Sequence, residues 1–516
     1  MQVGEFKVGD GLVKFHEQCE YNFAMRMIQE FFEKIQYGLQ QRPVFFDILF
    51  LLLAMLYVLS GVALVPFHGD ESAYLIISED YDRIVKEGGL DKVLYSPEGN
   101  GKQYLRLSTG GFYSFVVGWV RDLTNTDDPI EKWLWGSSWE DNLAMGNMPP
   151  ERLLNLARYT SAVMGALSVV FFFLFVRVLS GSRLAAWVSM LTLVTQGAFL
   201  VNVRRAMQEG PKFLFLMMTV YLAACIVKNI QRSEIKWLAY ALLGVATGLT
   251  LAAKQDTAFI ILAVYLGLAL VPVFERLPMR MFWVNGFYLG AATLIAYAAF
   301  LVFMPVFWGW WESSLALLAL ALVIFQLPRL KSGAFAKFLA LAGGVTMMAA
   351  TLLSPVLWVH LHIPLVSMAD ARENIVEGQT GVLPEQESSL PARINFLFVN
   401  TISSQVMYLE NPNFDVPPYH ELIREYEASA LRGRTGSWLW DGLLAMLALS
   451  GVWALLRKAD SSSLFALTLL LVTGVSLPVL IPLFWQRYYL IMQIPYLLAA
   501  GIGAAQIWSF VSNRSK

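Results

Sequence analysis

The chain has 516 residues, of which 57% are hydrophobic and 15% charged, with a formal net charge of -1 and two cysteines. Soluble domains carry about 25% charged residues, so this composition excludes a soluble globular protein or a disordered chain and leaves a multi-pass membrane protein. The net charge gives no footprint for nucleic acid, and Cys19 and Cys225 cannot build a disulfide framework or a cysteine-rich zinc site.

Residues 1–43 form a charged segment without a cleavable signal pattern, which predicts a cytoplasmic N-terminus. Within it Ala24, Met27, Ile28, Phe31, Ile35 and Leu39 recur at helical spacing, the pattern of an amphipathic helix lying on the inner leaflet. From residue 44 to the C-terminus, hydropathy and charge breaks predict one all-α membrane domain of about twelve spans. These are 44–66, 153–177, 184–203, 208–227, 236–253, 257–274, 281–304, 313–328, 338–359, 438–456, 464–484 and 488–510. The span 313–328 is short, and 464–484 carries Pro478 and Pro482. No internal repeat or low-complexity tract breaks the pattern.

Followed from a cytoplasmic start, every short inner connection of the chain is basic. These connections hold Arg177 and Arg183, Lys228, Arg232 and Lys236, Arg276 and Arg280, Arg329, Lys331 and Lys337, and Arg457 and Lys458. Arg514 and Lys516 put the C-terminus on the same side. Two long segments, 67–152 and 360–437, then face outward, and such loops are where binding and chemistry tend to sit. The first holds fifteen Asp and Glu against eight Lys and Arg, an acidic surplus that a solvated face alone would explain.

The charges that remain near the spans collect at their outer ends: Asp70 and Glu71, Arg204, Arg205 and Glu209, Lys254 and Asp256, and Arg487. Ion-coupled transporters need ionisable groups and broken helices near the midplane. Carboxylates and cations gathered at one face suit displacement of a lipid-linked phosphate by a hydroxyl. A carboxylate takes the proton of the attacking hydroxyl, and Arg or Lys stabilises the charge growing on the departing phosphate.

The segment Phe67-His68-Gly69-Asp70-Glu71-Ser72-Ala73-Tyr74 resembles the acidic motif in the first outer loop of the GT-C glycosyltransferases. It is most similar to the branch of protein O-mannosyltransferases, aminoarabinose transferases of lipid A and bacterial lipopolysaccharide-core enzymes. Arg158 to Tyr221, including Arg204-Arg205-Ala206-Met207-Gln208-Glu209, resembles that family's second to fourth spans. Gly248 to Lys254 resembles its glycine-to-lysine segment, and Arg487-Tyr488-Tyr489 with Pro495 its late Arg-Tyr segment. The order and shared outer placement of these motifs, rather than any one of them, carry the likeness. The resemblance implies a GT-C-like bundle and an inverting transferase that uses a polyprenyl-phosphate-linked sugar. Two features depart from it: Arg106-Leu107-Ser108-Thr109-Gly110-Gly111 replaces a His-Pro-Pro-like segment, and the second acidic position is Glu209 rather than aspartate. No counterpart of a soluble sugar-binding domain is evident in 360–437.

On this reading Asp70 is the general base, with Glu71 and Glu209 as further acids of the chamber. Lys254 and Arg487 bind the donor phosphate, together with one of Arg204 and Arg205, while Lys102, Arg106 and His68 are secondary candidates. Helix capping competes for Asp70 and Glu209, a helix-dipole role for Glu71, and interfacial anchoring for the cations. A divalent metal held by His68, His360, His362 or His420 with the acids is considered and set aside, because Lys and Arg can neutralise a phosphate, so no cofactor is expected. Trp308, Trp310 and Trp311 read as an aromatic belt. The expected partners are the donor lipid, a lipid, glycan or protein acceptor, and membrane lipids, with catalysis on the extracytoplasmic face of the plasma membrane. A flippase of lipid-linked glycans is the rival from another class, and a transferase of some other lipid-phosphate group the rival among enzymes.

Overall fold

The computed structural model describes residues 43–96, 102–126, 130–232, 236–308 and 389–514, apart from 404, 410–413, 435 and 482, together with Asp370 and Glu373. The chain divides into two units, Met1–Ala54 and Met55–Lys516, and the candidate site lies wholly within the second. The amphipathic segment expected before residue 43 lies outside the described residues.

In chain order the principal helices are α1 (Pro43–Ser60), α2 (Asp70–Val85), α3 (Gln103–Ser108), α4 (Phe112–Leu123), α5 (Trp139–Ala144) and α6 (Glu151–Ser180). There follow α7 (Arg183–Thr195), α8 (Gly197–Arg204), α9 (Glu209–Gln231), α10 (Trp237–Ala253), α11 (Ala258–Phe274) and α12 (Met279–Val302). After the undescribed segment come α13 (Leu390–Ile402), α14 (Pro417–Ala428), α15 (Trp438–Lys458), α16 (Ser461–Leu480), α17 (Gln486–Tyr489) and α18 (Gln493–Arg514). Among the described residues there is no strand beyond one isolated bridge, Gln196 to Arg434. The chain is an all-α polytopic membrane protein.

Eight helical stretches among the described residues are long and apolar enough to cross a membrane, fewer than the twelve expected. Two shorter apolar helices, α7 and α10, stand at the third and fifth expected spans. The remaining expectations, 313–328 and 338–359, lie outside the described residues. Rows of exposed side chains, such as Leu262, Leu266 and Leu270 on α11 or Met446, Leu449 and Trp453 on α15, recur at helical spacing. Such rows suit lipid, where a helix satisfies its own backbone and needs only an apolar surface.

The third span differs from expectation. In place of one helix over 184–203, the chain breaks at Gln196, whose backbone is extended. There the Arg434 backbone pairs with the opened turn: Gly197 N–H donates to Arg434 O at 3.1 Å, and Arg434 N–H donates to Thr195 O at 2.5 Å. α7 alone, with 13 residues, reaches only about 20 Å, short of the ~30 Å hydrocarbon core.

α6 has the opposite character. Its 30 residues extend about 45 Å, so one end projects well past the apolar core and can carry Arg158 near the site. α9 packs against α6 through Gly210, where a Cβ would come within 2.0 Å of Ser161 O, so only glycine permits this approach. That contact sets Glu209 and Lys212 deep among the helix ends. The last spanning stretch, Gln486–Asn513, and α9 are the most enclosed, with 72% and 67% of their apolar windows buried. Glu209, Lys212 and Arg487 therefore sit on the two best-packed spanning stretches among the described residues.

Candidate active site

Asp70 is the first residue of α2, whose N-cap is Gly69, and its carboxylate is bonded elsewhere. Oδ2 accepts a hydrogen bond from Arg487 Nη2 at 2.7 Å, and Oδ1 accepts one from the Trp135 indole N–H at 3.2 Å. Capping, the competing reading, is not how this carboxylate is used. Asp70 retains 19% side-chain exposure while Arg487 is 2% exposed, so the acid can be reached and the cation is held behind it. Burial pushes the carboxyl upward, but Arg487, His68 and Lys254 outweigh it and hold Asp70 below the ordinary aspartate range. That shift favours the carboxylate form of Asp70.

Lys254 occupies an extended residue between the end of α10 and a 3-10 turn, Gln255–Thr257. Its ammonium is hydrogen-bonded to Glu209 Oε1 and lies 4.0 Å from Asp256 Oδ2. Burial disfavours its charge, but Glu209 and Asp256 reverse the balance and raise its pKa. Both cations approach the Tyr488 ring, Lys254 Nζ at 4.8 Å and the Arg487 guanidinium at 5.5 Å, and Arg487 also lies 4.2 Å from the Trp485 ring. Lys212, on the first turn of α9, pairs with Asp256 at 3.0 Å and donates to the Arg487 carbonyl at 3.2 Å. Asp70, Glu209 and Asp256 thus alternate with Arg487, Lys254 and Lys212. Tyr74, one turn beyond Asp70, lies in the field of Lys254, Asp70, Glu209 and Arg487, and burial keeps its hydroxyl protonated.

Local sequence explains how Arg487 arrives there. Its neighbour Gln486 donates to Asn400 Oδ1 at 2.9 Å and to Gln405 O at 2.7 Å, and accepts from Met407 N–H at 3.0 Å. These bonds fasten the short α17 to the late loop before α18 begins.

Other predicted residues are placed differently. Glu71 is fully buried and accepts from Arg158 Nε at 3.0 Å and Nη2 at 2.7 Å, from Ala206 N–H at 2.6 Å and from His68 N–H at 3.3 Å. With both oxygens engaged twice, it ties α2 to α6 and to the turn after α8. Arg204 donates to the carbonyls of Tyr57, Val58 and Leu431 and to the Tyr426 hydroxyl at 2.5–2.9 Å. Arg205 reaches Pro66 O at 3.3 Å and Tyr419 Oη at 3.5 Å. Both guanidinium groups are buried and hold loop backbone or tyrosine rather than facing Asp70.

Arg106 makes a bidentate pair with Asp80, at 2.5 and 2.8 Å, and Lys102 pairs with Glu79 at 2.5 Å. These acids lie nine and ten residues beyond Asp70, about 15 Å along α2, so neither cation shares its group. The glycines of the departing segment serve packing, since a Cβ on Gly110 would meet Ala252 O at 2.1 Å and the loop therefore lies directly on the end of α10. His68 Nδ1 accepts from the Asp70 N–H at 3.2 Å, and its ring sits 5.4 Å from Trp135 and 6.4 Å from Phe414. It orients the start of α2. His420 pairs with Asp415, while His360 and His362 lie outside the described residues. Among the described residues no three His, Cys, Asp or Glu converge as metal ligands. The Trp308 indole donates to Leu301 O at 2.7 Å; Trp310 and Trp311 lie outside the described residues.

Sequence reading did not single out Lys212, Asp256, Arg158 or Trp135 as site residues. Lys212 and Arg158 had a usable signal, a charge inside a predicted apolar span, where charge is expensive and needs a partner. Trp135 had none, because a loop tryptophan announces no direction for its indole N–H.

Residues 136–288 match the family described as dolichyl-phosphate-mannose-protein mannosyltransferase. No curated protein matches the chain. Among solved structures, the Saccharomyces cerevisiae protein O-mannosyltransferase Pmt1-Pmt2 complex bound to the sugar donor is similar at 15% identity. That likeness covers 51% of this chain and 33% of that one, with a TM-score of 0.35. The Archaeoglobus fulgidus oligosaccharyltransferase AglB, in complex with an inhibitory peptide and a dolichol-phosphate, is similar at 10% identity over 92% of this chain and 52% of that one, with a TM-score of 0.45. ArnT from Cupriavidus metallidurans bound to undecaprenyl phosphate is similar at 12% identity over 89% and 78%, with a TM-score of 0.32. The chain spans about a third of the first of these and half of the second. The matched family region contains Arg158, Glu209, Lys212, Lys254 and Asp256 and leaves Asp70 and Arg487 outside it.

Proposed function

We propose that this protein is an inverting membrane glycosyltransferase that moves a sugar from a polyprenyl-phosphate-linked donor to a hydroxyl of a lipid, glycan or protein on the extracytoplasmic face. One observation carries the reading: a partly exposed Asp70 lies against Arg487, and Arg487 shares the Tyr488 ring with Lys254. That arrangement supplies a proton acceptor and two phosphate-stabilising cations at helix ends, where the phosphate of a bilayer lipid would lie.

The donor phosphate takes Arg487 from Asp70 and Lys254 from Glu209, exchanging one anion for another at each cation. Asp70, released from its partner, accepts the proton of the acceptor hydroxyl as the oxygen attacks the anomeric carbon. The new carbon–oxygen bond forms as the bond to phosphate breaks, and the departing electron pair stays on a phosphate oxygen facing Arg487 and Lys254. A single displacement inverts the anomeric centre. Trp135 and His68 orient Asp70, and Glu209 holds Lys254. Glu71, Arg204, Arg205, Lys102 and Arg106 take structural roles in this reading.

The test is transfer by the purified protein in lipid nanodiscs, offered a panel of labelled polyprenyl-phosphate sugars with lipid, glycan and peptide acceptors, with and without a chelator. The expected result is an inverted glycoside and one free polyprenyl phosphate per transfer. Movement of intact donor across proteoliposomes, with no polyprenyl phosphate released, would instead establish the flippase.

A further inference from the structure

Beyond the groups that would touch the donor lies a second buried ion pair, Lys212 with Asp256 at 3.0 Å, both nearly inaccessible. Lys212 is set there by the close approach of α9 to α6 at Gly210. Its ammonium donates to the backbone carbonyl of Arg487 at 3.2 Å. Asp256, two residues past Lys254 on the 3-10 turn, lies 4.0 Å from the Lys254 ammonium. From one buried lysine the network therefore reaches the main chain that carries Arg487 and the carboxylate that faces Lys254. Three segments distant in sequence are joined at this point.

A buried ion pair is a costly way to fill space, since well-packed apolar residues often serve stability as well or better. Asp256 Oδ1 and Glu209 Oε2 are also buried and have no hydrogen-bond partner among the described residues. The acids around Lys254 are thus incompletely satisfied, which a purely structural network would avoid. Stabilising a departing phosphate, by contrast, depends on where its two cations stand, and a misplacement near 1 Å can cost ~100-fold in rate.

We infer that Lys212 and Asp256 are positioning residues that set the placement of Lys254 and Arg487 for the donor phosphate. The inference rests on the donor reading above. Neither residue touches the donor; each acts through a cation that does.

The experiment compares wild type, Lys212→Met/Asp256→Leu, Lys212→Arg and Asp256→Glu in nanodiscs by thermal unfolding and by titration with undecaprenyl phosphate. The double variant removes both charges without leaving one unpaired, so it should unfold near the wild-type temperature yet bind at least ~10-fold more weakly. Lys212→Arg keeps the charge and should bind within ~3-fold of wild type. Asp256→Glu keeps the charge but moves it by a methylene, and should weaken binding about 10-fold while folding normally, which preserves the test if the double variant does not fold. Wild-type affinity in a folded double variant, or in Asp256→Glu, overturns the inference. A wild type that does not bind undecaprenyl phosphate retires the donor reading and takes this inference with it.

Discussion

Asp70 Oδ2 and Arg487 Nη2 lie 2.7 Å apart, joining the loop after the first span to the segment that opens the last. The base and one of the phosphate-binding cations of the proposed reaction therefore neutralise each other until a donor separates them.

Asp70→Asn preserves shape and removes the proton acceptor. Turnover should fall by at least about 10²-fold, because a positioned base typically contributes 10²–10⁴-fold. Donor affinity should hold or rise, since Arg487 no longer has a charged competitor. Kinetics and donor titration on the same preparation check both, and near wild-type turnover would remove Asp70 from the mechanism.

The pH dependence carries the same signature. The Asp70 pKa is lowered in the free protein, mainly because Arg487 and the nearby His68 and Lys254 outweigh its burial. The catalytically competent ionised form then persists as pH falls through the ordinary aspartate range of about 3.9 and is lost only below it. Once the donor phosphate holds Arg487, Asp70 loses that support and its pKa rises. The acid limb of kcat should accordingly lie at higher pH than that of kcat/KM, which reports the free enzyme. Coincident limbs would show that the pair does not exchange partners.

Glu71→Gln should act on stability rather than on chemistry. It leaves the buried Arg158 guanidinium without its bidentate carboxylate, a change of the kind that costs about 3–5 kcal/mol. Glu71→Gln/Arg158→Met should recover part of that loss in chemical denaturation. Wild-type stability with depressed turnover would return Glu71 to the catalytic group.

Arg204→Lys should destabilise as well. One ammonium cannot reach the carbonyls of Tyr57, Val58 and Leu431 and the Tyr426 hydroxyl together, and each buried acceptor left unpaired costs about 1–3 kcal/mol. Donor affinity of the folded fraction should not change. Loss of donor binding at unchanged stability would place Arg204 on the phosphate.

The sidedness of the reading is open to direct labelling. In a background lacking Cys19 and Cys225, cysteines introduced near Asn100 and Gly381 should react with an impermeant thiol reagent on intact cells, and one near Ser461, at the exposed Lys458, should not. Reaction at Lys458 alone would invert the orientation and move the chemistry to the cytoplasmic side.

Hydropathy is a local and additive property, so the apolar stretches from Pro43 to Leu64, Glu151 to Ser180 and Trp438 to Lys458 were legible to within about three residues at each end. The collection of Asp70, Glu209, Lys254 and Arg487 at span ends was legible for the same reason, since charges avoid the apolar core wherever they can. The break at Gln196 was not, because it depends on Arg434, a partner from the far part of the chain. Nor could the sequence separate Arg204 from Arg205, adjacent arginines at one span end. Tertiary packing gives both to the fold: Arg204 is surrounded by backbone carbonyls that need donors and Arg205 reaches Pro66 O and the Tyr419 hydroxyl, whereas Arg487 meets the carboxylate of Asp70. Ion pairing depends on distance in space and not on separation along the chain, so the composition of the charged cluster is written in the sequence while its pairing exists only in the fold.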